Sequence, residues 1–221
     1  METHVIHDLS DSFMQLSGLS SIYQTVVAHQ NIHPEQFYLT GYEGIFVNSD
    51  RRFLTDSVLS SLVPFDGSVV IVSTAGADGY VADACRALDI PFAVVSASDA
   101  GLADTVEAMF AAGRSCGHLF TASDIDRCTL TALGRLCRKY RRVLIVDCVA
   151  DVLSIADMLD HNIDFVLAND SCSAPSGALL IARRSKLVQT EGVARSSRND
   201  IYALWQNAME RRNPTLDPMS A

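Results

Sequence analysis

Lysine is nearly absent. Lys139 and Lys186 are the two in 221 residues. Positive charge is thin overall, with 17 Lys and Arg against 26 Asp and Glu and a formal net charge of -9. No long basic run exists, which excludes the electrostatic footprint of a nucleic-acid binder. A binder of small anions needs only a local patch and stays open. No window reaches the ~18 apolar residues of a membrane-spanning helix. The N-terminus, "METHVIHDLSDS", has neither a charged lead nor an apolar h-region. The expectation is a soluble, cytoplasmic protein. Six cysteines are present (Cys85, Cys116, Cys128, Cys137, Cys148 and Cys172), but none form Cys-x-x-Cys or pair with His at a zinc-like spacing. They are expected to be reduced thiols in apolar surroundings. Asn169-Asp170-Ser171 matches a glycosylation sequon, which carries little weight without a secretion signal. There is no internal repeat, no low-complexity segment and no linker before the last helical segment.

What the chain does have is apolar residues, 48% of the total, enough for a full core. They fall in alternating patterns. "DSFMQLSGLSSIYQTVVAHQ" has helical spacing, and "QFYLTGYEGIFVNSD" is strand-like. "RFLTDSVLSSLV" is a helix and "SVVIVST" a β-branched run, as in a strand covered on both faces. Helix and strand then alternate through "GYVADACRALDI", "PFAVVSAS", "LADTVEAMFAAG", "GHLFTAS", "DRCTLTALGRLCRKY", "RVLIVDC", "ADVLSIADMLDHN" and "DFVLAND". "GALLIARR" is a further strand, and "RSSRNDIYALWQNAMERRN" a long polar helix. This alternation predicts an α/β fold, a three-layer α/β/α domain around a mainly parallel sheet.

In such sheets ligands bind beyond the carboxyl ends of the strands. The residues there are Asn48 to Arg51, Thr74 to Gly79, Thr121 to Asp124, Asp147-Cys148 and Asn169 to Cys172. Asp147 is the sharpest of them. It closes "RVLIVD", so a carboxylate ends what should be a central strand. Buried and ionised, it needs a cation or hydrogen-bond donors. It could anchor a protonated ring nitrogen or a metal, or it could cap a neighbouring helix. The pair Asp124 and Asp126 reads equally as a metal ligand or a helix cap.

The segment "RLCRKYRRVLIVDCVADVLSIADMLDHNIDFVLANDSC" resembles the core of the fold-type I pyridoxal-phosphate aminotransferases. It is most similar to the class V branch and, within that, to the aminoethylphosphonate–pyruvate transaminases. "GYEGIFVNSDRRFLTDSVLSSLVPFDGSVVIVSTAGADG" resembles the family's phosphate-loop and helix segment. "SSRNDIYALWQNAMERRNPTLDP" resembles the stretch leading to the small domain. The resemblance covers most of residues 8 to 217 and is strongest from Leu136 to Lys186. It implies a large domain over residues 1–192, with residues 193–221 forming a helix and tail where the small domain would begin. It implies a chain shorter than the family's, without the substrate-gating segment and small domain. Apolar surface is then expected to be exposed around Leu204, Trp205 and Met209.

The resemblance also implies roles. Asp147 stands where the family holds the cofactor's pyridinium nitrogen. The phosphate turn, glycine-rich in the family, reads Ser49-Asp50-Arg51 here, with Asp50 placing negative charge near a dianion; Arg51 or Arg52 could offset it. Asp78 stands where the family stacks an aromatic ring, and Ser123 lies in the turn that contacts the ring. The cofactor-contacting candidates are therefore Asp147, Ser49 and Ser123. The family's Schiff-base lysine belongs in the loop after "FVLAND". That loop is about three residues shorter here, counting between the flanking segments, and Ser171 or Cys172 occupies the lysine's place. Neither Lys139 nor Lys186 can substitute. A hydroxyl or a thiol cannot form an imine, so no catalytic residue for transamination remains.

Three readings follow. The first is a catalytically inactive aminotransferase-like protein that takes no cofactor. It would act as a binding, scaffold or regulatory partner, dimerising with itself or pairing with a full-length transaminase relative. The second is an enzyme of altered chemistry within phosphonate or amino-acid metabolism, using Asp147, Ser171, Cys172 and Asp124. His118 is then the obvious base, but it opens its strand and so lies at the wrong end. The third is a non-covalent binder of pyridoxal phosphate.

Overall fold

The computed structural model describes residues 41–47, 49–74, 79–112, 117–122, 124–148, 153–170 and 177–212. The expected helix near residues 13–27 lies outside them. Seven strands form one sheet: β1 (Tyr42–Val47), β2 (Ser68–Ser73), β3 (Phe92–Ser96), β4 (Gly117–Ala122), β5 (Leu144–Cys148), β6 (Phe165–Asp170) and β7 (Gly177–Arg183). Their order is β1-β7-β6-β5-β4-β2-β3. The pairs from β3 to β6 are parallel, while β7 runs antiparallel to both β6 and β1. The fold is α/β with a mainly parallel sheet, as the alternation of elements implies. The reversed β7 follows from "FVLAND" and "GALLIARR" having no helix between them, since only a crossover returns a chain for parallel pairing.

The helices are α1 (Arg51–Leu62), α2 (Gly79–Ala87), α3 (Leu102–Ala112), α4 (Arg127–Lys139), α5 (Ile155–Asp160), α6 (Arg184–Val188) and α7 (Ile201–Arg212), with a 3-10 turn at Ser197–Asn199. Strand alternation sorts the sheet's side chains into two cores. Leu144, Val146, Val166 and Leu119 face α3, α4 and α5 through Val106, Phe110, Leu133 and Met158. Ile145, Phe165, Leu167 and Ile71 face α1 and α2 through Leu54, Val58, Val81 and Cys85. The central strand β4 is buried along its whole length. The edge strand β3 buries only Val95 and leaves Val94 48% exposed.

Two helices depart from the sequence expectation at their starts. Within "ADVLSIADMLDHN" the helix starts only at Ile155, because Ser154 caps it in a reciprocal capping box with Asp157. Within "RSSRNDIYALWQNAMERRN" the helix starts at Ile201, because the Asp200 carboxylate accepts the amides of Tyr202 and Ala203. The short α6 was not anticipated. Asp126 is a helix cap, accepting Thr129 N at the start of α4. Gly134 is required in α4, since a Cβ there would overlap the His161 carbonyl oxygen of α5.

The expected apolar exposure at the C-terminal helix is overturned. Leu204 and Trp205 are partly buried against the second core, and Met209 is half-buried. The chain lies back on α1, with Arg195 N donating to Ser60 O and Ser61 Oγ bridging Asn199 O and Ile201 N. The expectation for the thiols holds in part. Cys85, Cys137 and Cys148 are buried, but Cys128 is exposed on the first turn of α4. Cys116 and Cys172 lie outside the described residues.

Candidate functional site

Alternation along β5 fixes where Asp147 points. Leu144, Val146 and Cys148 belong to the core under α3, α4 and α5. Ile145 belongs to the other core, and Asp147 shares its face. Asp147 is therefore directed to the side carrying α1 and α2, between Ala122 of β4 and Leu167 of β6. It is 3% exposed. Its partner is Arg51, the first residue of α1, whose Nη1 lies 3.3 Å from Asp147 Oδ1. Neither atom makes an aligned hydrogen bond among the described residues, so the attraction is Coulombic rather than directed. The guanidinium also lies 5.2 Å from the centroid of the Tyr80 ring on α2, a cation–π distance.

The electrostatics are those of a poorly hydrated pair. Burial raises the Asp147 pKa from 3.8 to about 6, and Arg51 lowers it only in part. Arg51 in turn stands at a helix N-terminus, the end where the macrodipole disfavours a cation. Asp50 answers this as the N-cap, its carboxylate accepting Phe53 N at 2.8 Å. Thr74, Tyr80, Ile71, Val72, Val81, Phe120, Ala122 and Asp147 line a small, partly enclosed depression. The Tyr80 hydroxyl is buried and has no hydrogen-bond partner among the described residues.

Of the candidates, Asp147 and the residues beside Ser49 come together. Ser49 lies in the turn before α1, its amide donating to Val47 O. Asp50 and Arg51 follow it directly. Asp124 is exposed beyond β4. Ser123, Asp78, Ser171 and Cys172 lie outside the described residues. Tyr80 is the residue that sequence reasoning missed; its signal was an aromatic opening a helix directly after a strand-end loop. Groups of three or more metal-ligating side chains are absent among the described residues.

The lysines and histidines fall elsewhere. Lys139 ends α4, where it pairs with Glu107. Lys186 lies in α6, beyond the end of β7 that pairs with the start of β6. Both are thus on the amino side of the parallel strands, opposite Asp147. His118 is likewise at the start of β4, accepting Val143 N through Nδ1, and burial lowers its pKa to about 4. His161 caps the C-terminus of α5 and bonds Thr131 Oγ1. His4, His7, His29 and His33 lie outside the described residues. The amino edge also carries a satisfied polar network. Asp164 accepts Leu144 N and Arg183 Nε, and the Tyr42 hydroxyl donates to Ile163 O.

Known proteins share both this fold and part of the sequence. A bifunctional phosphonoacetaldehyde hydrolase/aminoethylphosphonate transaminase of Clostridioides difficile is 24% identical over 186 residues, covering 78% of this chain and 28% of that protein. A 2-aminoethylphosphonate–pyruvate transaminase of Bacillus cytotoxicus is 25% identical over 190 residues, covering 81% and 50%. The ureidoglycine–glyoxylate aminotransferase of Bacillus subtilis superposes with a TM-score of 0.59 at 13% identity, over 92% of this chain and 56% of that one. The fold is that of the fold-type I pyridoxal-phosphate transferases, and the chain is aminotransferase-like. No family model matches it. The aminotransferase-like chain spans half the length, or less, of these two curated relatives. No helix among the described residues is long and apolar enough to cross a membrane.

Proposed function

We propose that this aminotransferase-like chain does not transaminate and serves as a binding or regulatory protein. Its proposed partner is a second copy of itself or a full-length transaminase relative. The observation that carries this reading is the Arg51–Asp147 pair. A carboxylate that would hold a pyridinium nitrogen faces the chain's own guanidinium. The helix N-terminus that would hold a phosphate has the Asp50 carboxylate on its Phe53 amide. A dianion placed there would meet Asp50 directly. The residues as arranged therefore do not fit pyridoxal phosphate. The missing amine supports the same reading, since both lysines of the sequence stand on the amino side of the sheet.

The closely packed sheet and cores support the reading of a fold kept for binding. Selection for foldability without that chemistry is what a binding role requires.

The test is to incubate the protein with pyridoxal phosphate, record its absorbance, reduce with borohydride and weigh the product. The expected result is no protein band at about 400–430 nm, where aldimines absorb, and no added mass on the peptides that carry Lys139 and Lys186. A reducible adduct on either lysine would restore the enzyme reading. For the partner, light scattering of the chain alone and mixed with a full-length 2-aminoethylphosphonate–pyruvate transaminase should show a complex. A monomer that ignores both would remove the regulatory half.

A further inference from the structure

We propose that the outer face of α3 and α4 is an interface on which a second copy of this chain packs antiparallel, closing a twofold dimer through opposite charges at its two ends. This rests on the reading above that a second copy is a partner of the chain. It goes further by naming the surface and the arrangement.

α3 and α4 both run from the carboxyl edge of the sheet to its amino edge, on the face away from Asp147. Their charges are separated along that direction. At the carboxyl edge stand Asp104, on the first turn of α3, and Asp124 and Asp126, just before α4, all exposed. Arg127, the cation beside them, is paired with Asp157 of α5. Toward the amino edge α4 carries Arg135, Arg138 and Lys139, and Arg141 follows, all exposed. Lys139 is paired with Glu107, and Arg138 reaches the neutral Asn162 at 3.5 Å. Arg135 and Arg141 have no carboxylate within ion-pair distance among the described residues. The remaining exposed acid at that edge is Asp160, which ends α5.

A helix macrodipole favours charge in this sense, but the molecule does not apply the preference everywhere. α1 opens on Arg51 and Arg52, with no acid in its first turn and no base in its last. The separation is thus particular to this layer. Between its charged ends the outward residues are small. Leu130, Leu133, Gly134 and Cys137 are the buried side of α4. Helical spacing therefore turns Cys128, Ala132, Arg135 and Lys139 outward. Ala132 stands at the midpoint of α4, and beside it α3 exposes Ala108 and Ala111. Leu159 of α5, in the same layer, is 45% exposed and offers apolar area to cover.

Such a face is complementary to itself in one orientation. A twofold axis lying in the interface and perpendicular to the helices sets the acidic end of each layer on the basic end of the other. Arg135 and Arg138 then gain the carboxylate partners they lack. Parallel packing would set acid on acid and base on base, which like-charge repulsion disfavours. The small residues at the centre let the two helix layers approach closely.

The experiment follows self-association of the full chain by sedimentation velocity over a dilution series. Arg135→Glu with Arg138→Glu makes both ends acidic, and Asp104→Lys with Asp124→Lys makes both ends basic. The unaltered chain should dimerise, less tightly as salt is raised. Each charge-reversed variant alone should dimerise about tenfold or more weakly. Mixed in equal amounts, the two should form a dimer about as tight as the unaltered one, because each end again meets its opposite. An unaltered chain that stays monomeric would overturn the proposal. So would dimers that the substitutions leave unchanged, variants that stay apart when mixed, or a mass that grows beyond two chains with concentration. Circular dichroism checks that each variant is folded. If one is not, Arg135→Gln with Arg138→Gln and Asp104→Asn with Asp124→Asn take their place, and the mixture should recover in part, since one end is again opposed in charge. A borohydride-stable adduct on a lysine would sink the function proposed above without touching this result. A dimer indifferent to these charges would sink this inference and leave that function standing.

Discussion

Two arginines stand at opposite ends of α1, and they are held very differently. Arg195, from the segment before α7, closes on the C-terminal end. Its Nε donates to Val63 O at 3.3 Å, Nη2 to Pro64 O at 2.6 Å and Nη1 to Leu88 O at 3.2 Å, while its guanidinium lies 4.9 Å from the Phe65 ring centroid. The helix dipole favours a cation there, and the orphan carbonyls need donors. Arg51, at the other end, sits against the dipole with the Tyr80 ring and, among the described residues, one unaligned carboxylate contact. The satisfied arginine ties the fold together. The unsatisfied one lies beside the strand-end depression, at the edge where parallel sheets take ligands. The same side chain, at the two ends of one helix, thus differs in how fully its donors are used.

The largest break in this comparison is Arg195→Ala. It strips three carbonyls of a charged donor and releases the segment leading to α7. The expected loss is about 4 kcal/mol, or roughly 8–16 °C in Tm for a chain of this size, read by thermal unfolding. A loss within about 0.5 kcal/mol, as for an ordinary surface substitution, would mean the contacts do not hold in solution.

The next effect lies at the other end and depends on pH. Asp147 has a folded pKa raised to about 6 from 3.8. Between those values the folded state keeps a proton that the unfolded state has released. Its contribution is full below 3.8 and is lost as pH rises through about 6, at a total cost of about 3 kcal/mol. Asp147→Asn removes the titration. The variant should therefore gain on the unaltered protein as pH rises from about 4 to 7, measured as the difference between two urea-unfolding series. A difference that stays flat with pH would show that Asp147 is not buried as a charge.

The smallest effect sharpens the contrast within one turn. Asp50→Ala removes the N-cap of α1 and should cost about 1 kcal/mol without altering the pH dependence assigned to Asp147. If the cap loss instead moved that dependence, Asp50 and Arg51 would be acting as one unit.

The fold was largely legible because hydrophobic periodicity is a local signal. "SVVIVS" and "RVLIVD" can hardly be anything but strands in a covered sheet, and both are buried along most of their length. Asp147 was legible for the same reason, as a charge at the end of such a run. Its partner was not. Whether Arg51 or Arg52 turns inward depends on the phase of α1 against the sheet, which no local pattern records. The packing of Leu204 and Trp205 was misjudged for a related reason. It depends on the long-range hydrogen bonds that Ser61 Oγ donates to Asn199 O and accepts from Ile201 N, and on Arg195 reaching back to the end of α1. The exposure of Cys128 likewise follows from its place on the first turn of α4, beside the Asp126 cap.

The central claim is that Arg51, not a cofactor ring, lies between Tyr80 and Asp147. It is tested most directly by a crystal structure of the protein grown with excess pyridoxal phosphate. The account predicts the Arg51 guanidinium within about 4 Å of the Asp147 carboxylate, the limit of an ion pair, and stacked on Tyr80. A pyridine ring against Tyr80 with its nitrogen on Asp147, and Arg51 swung away, would contradict it.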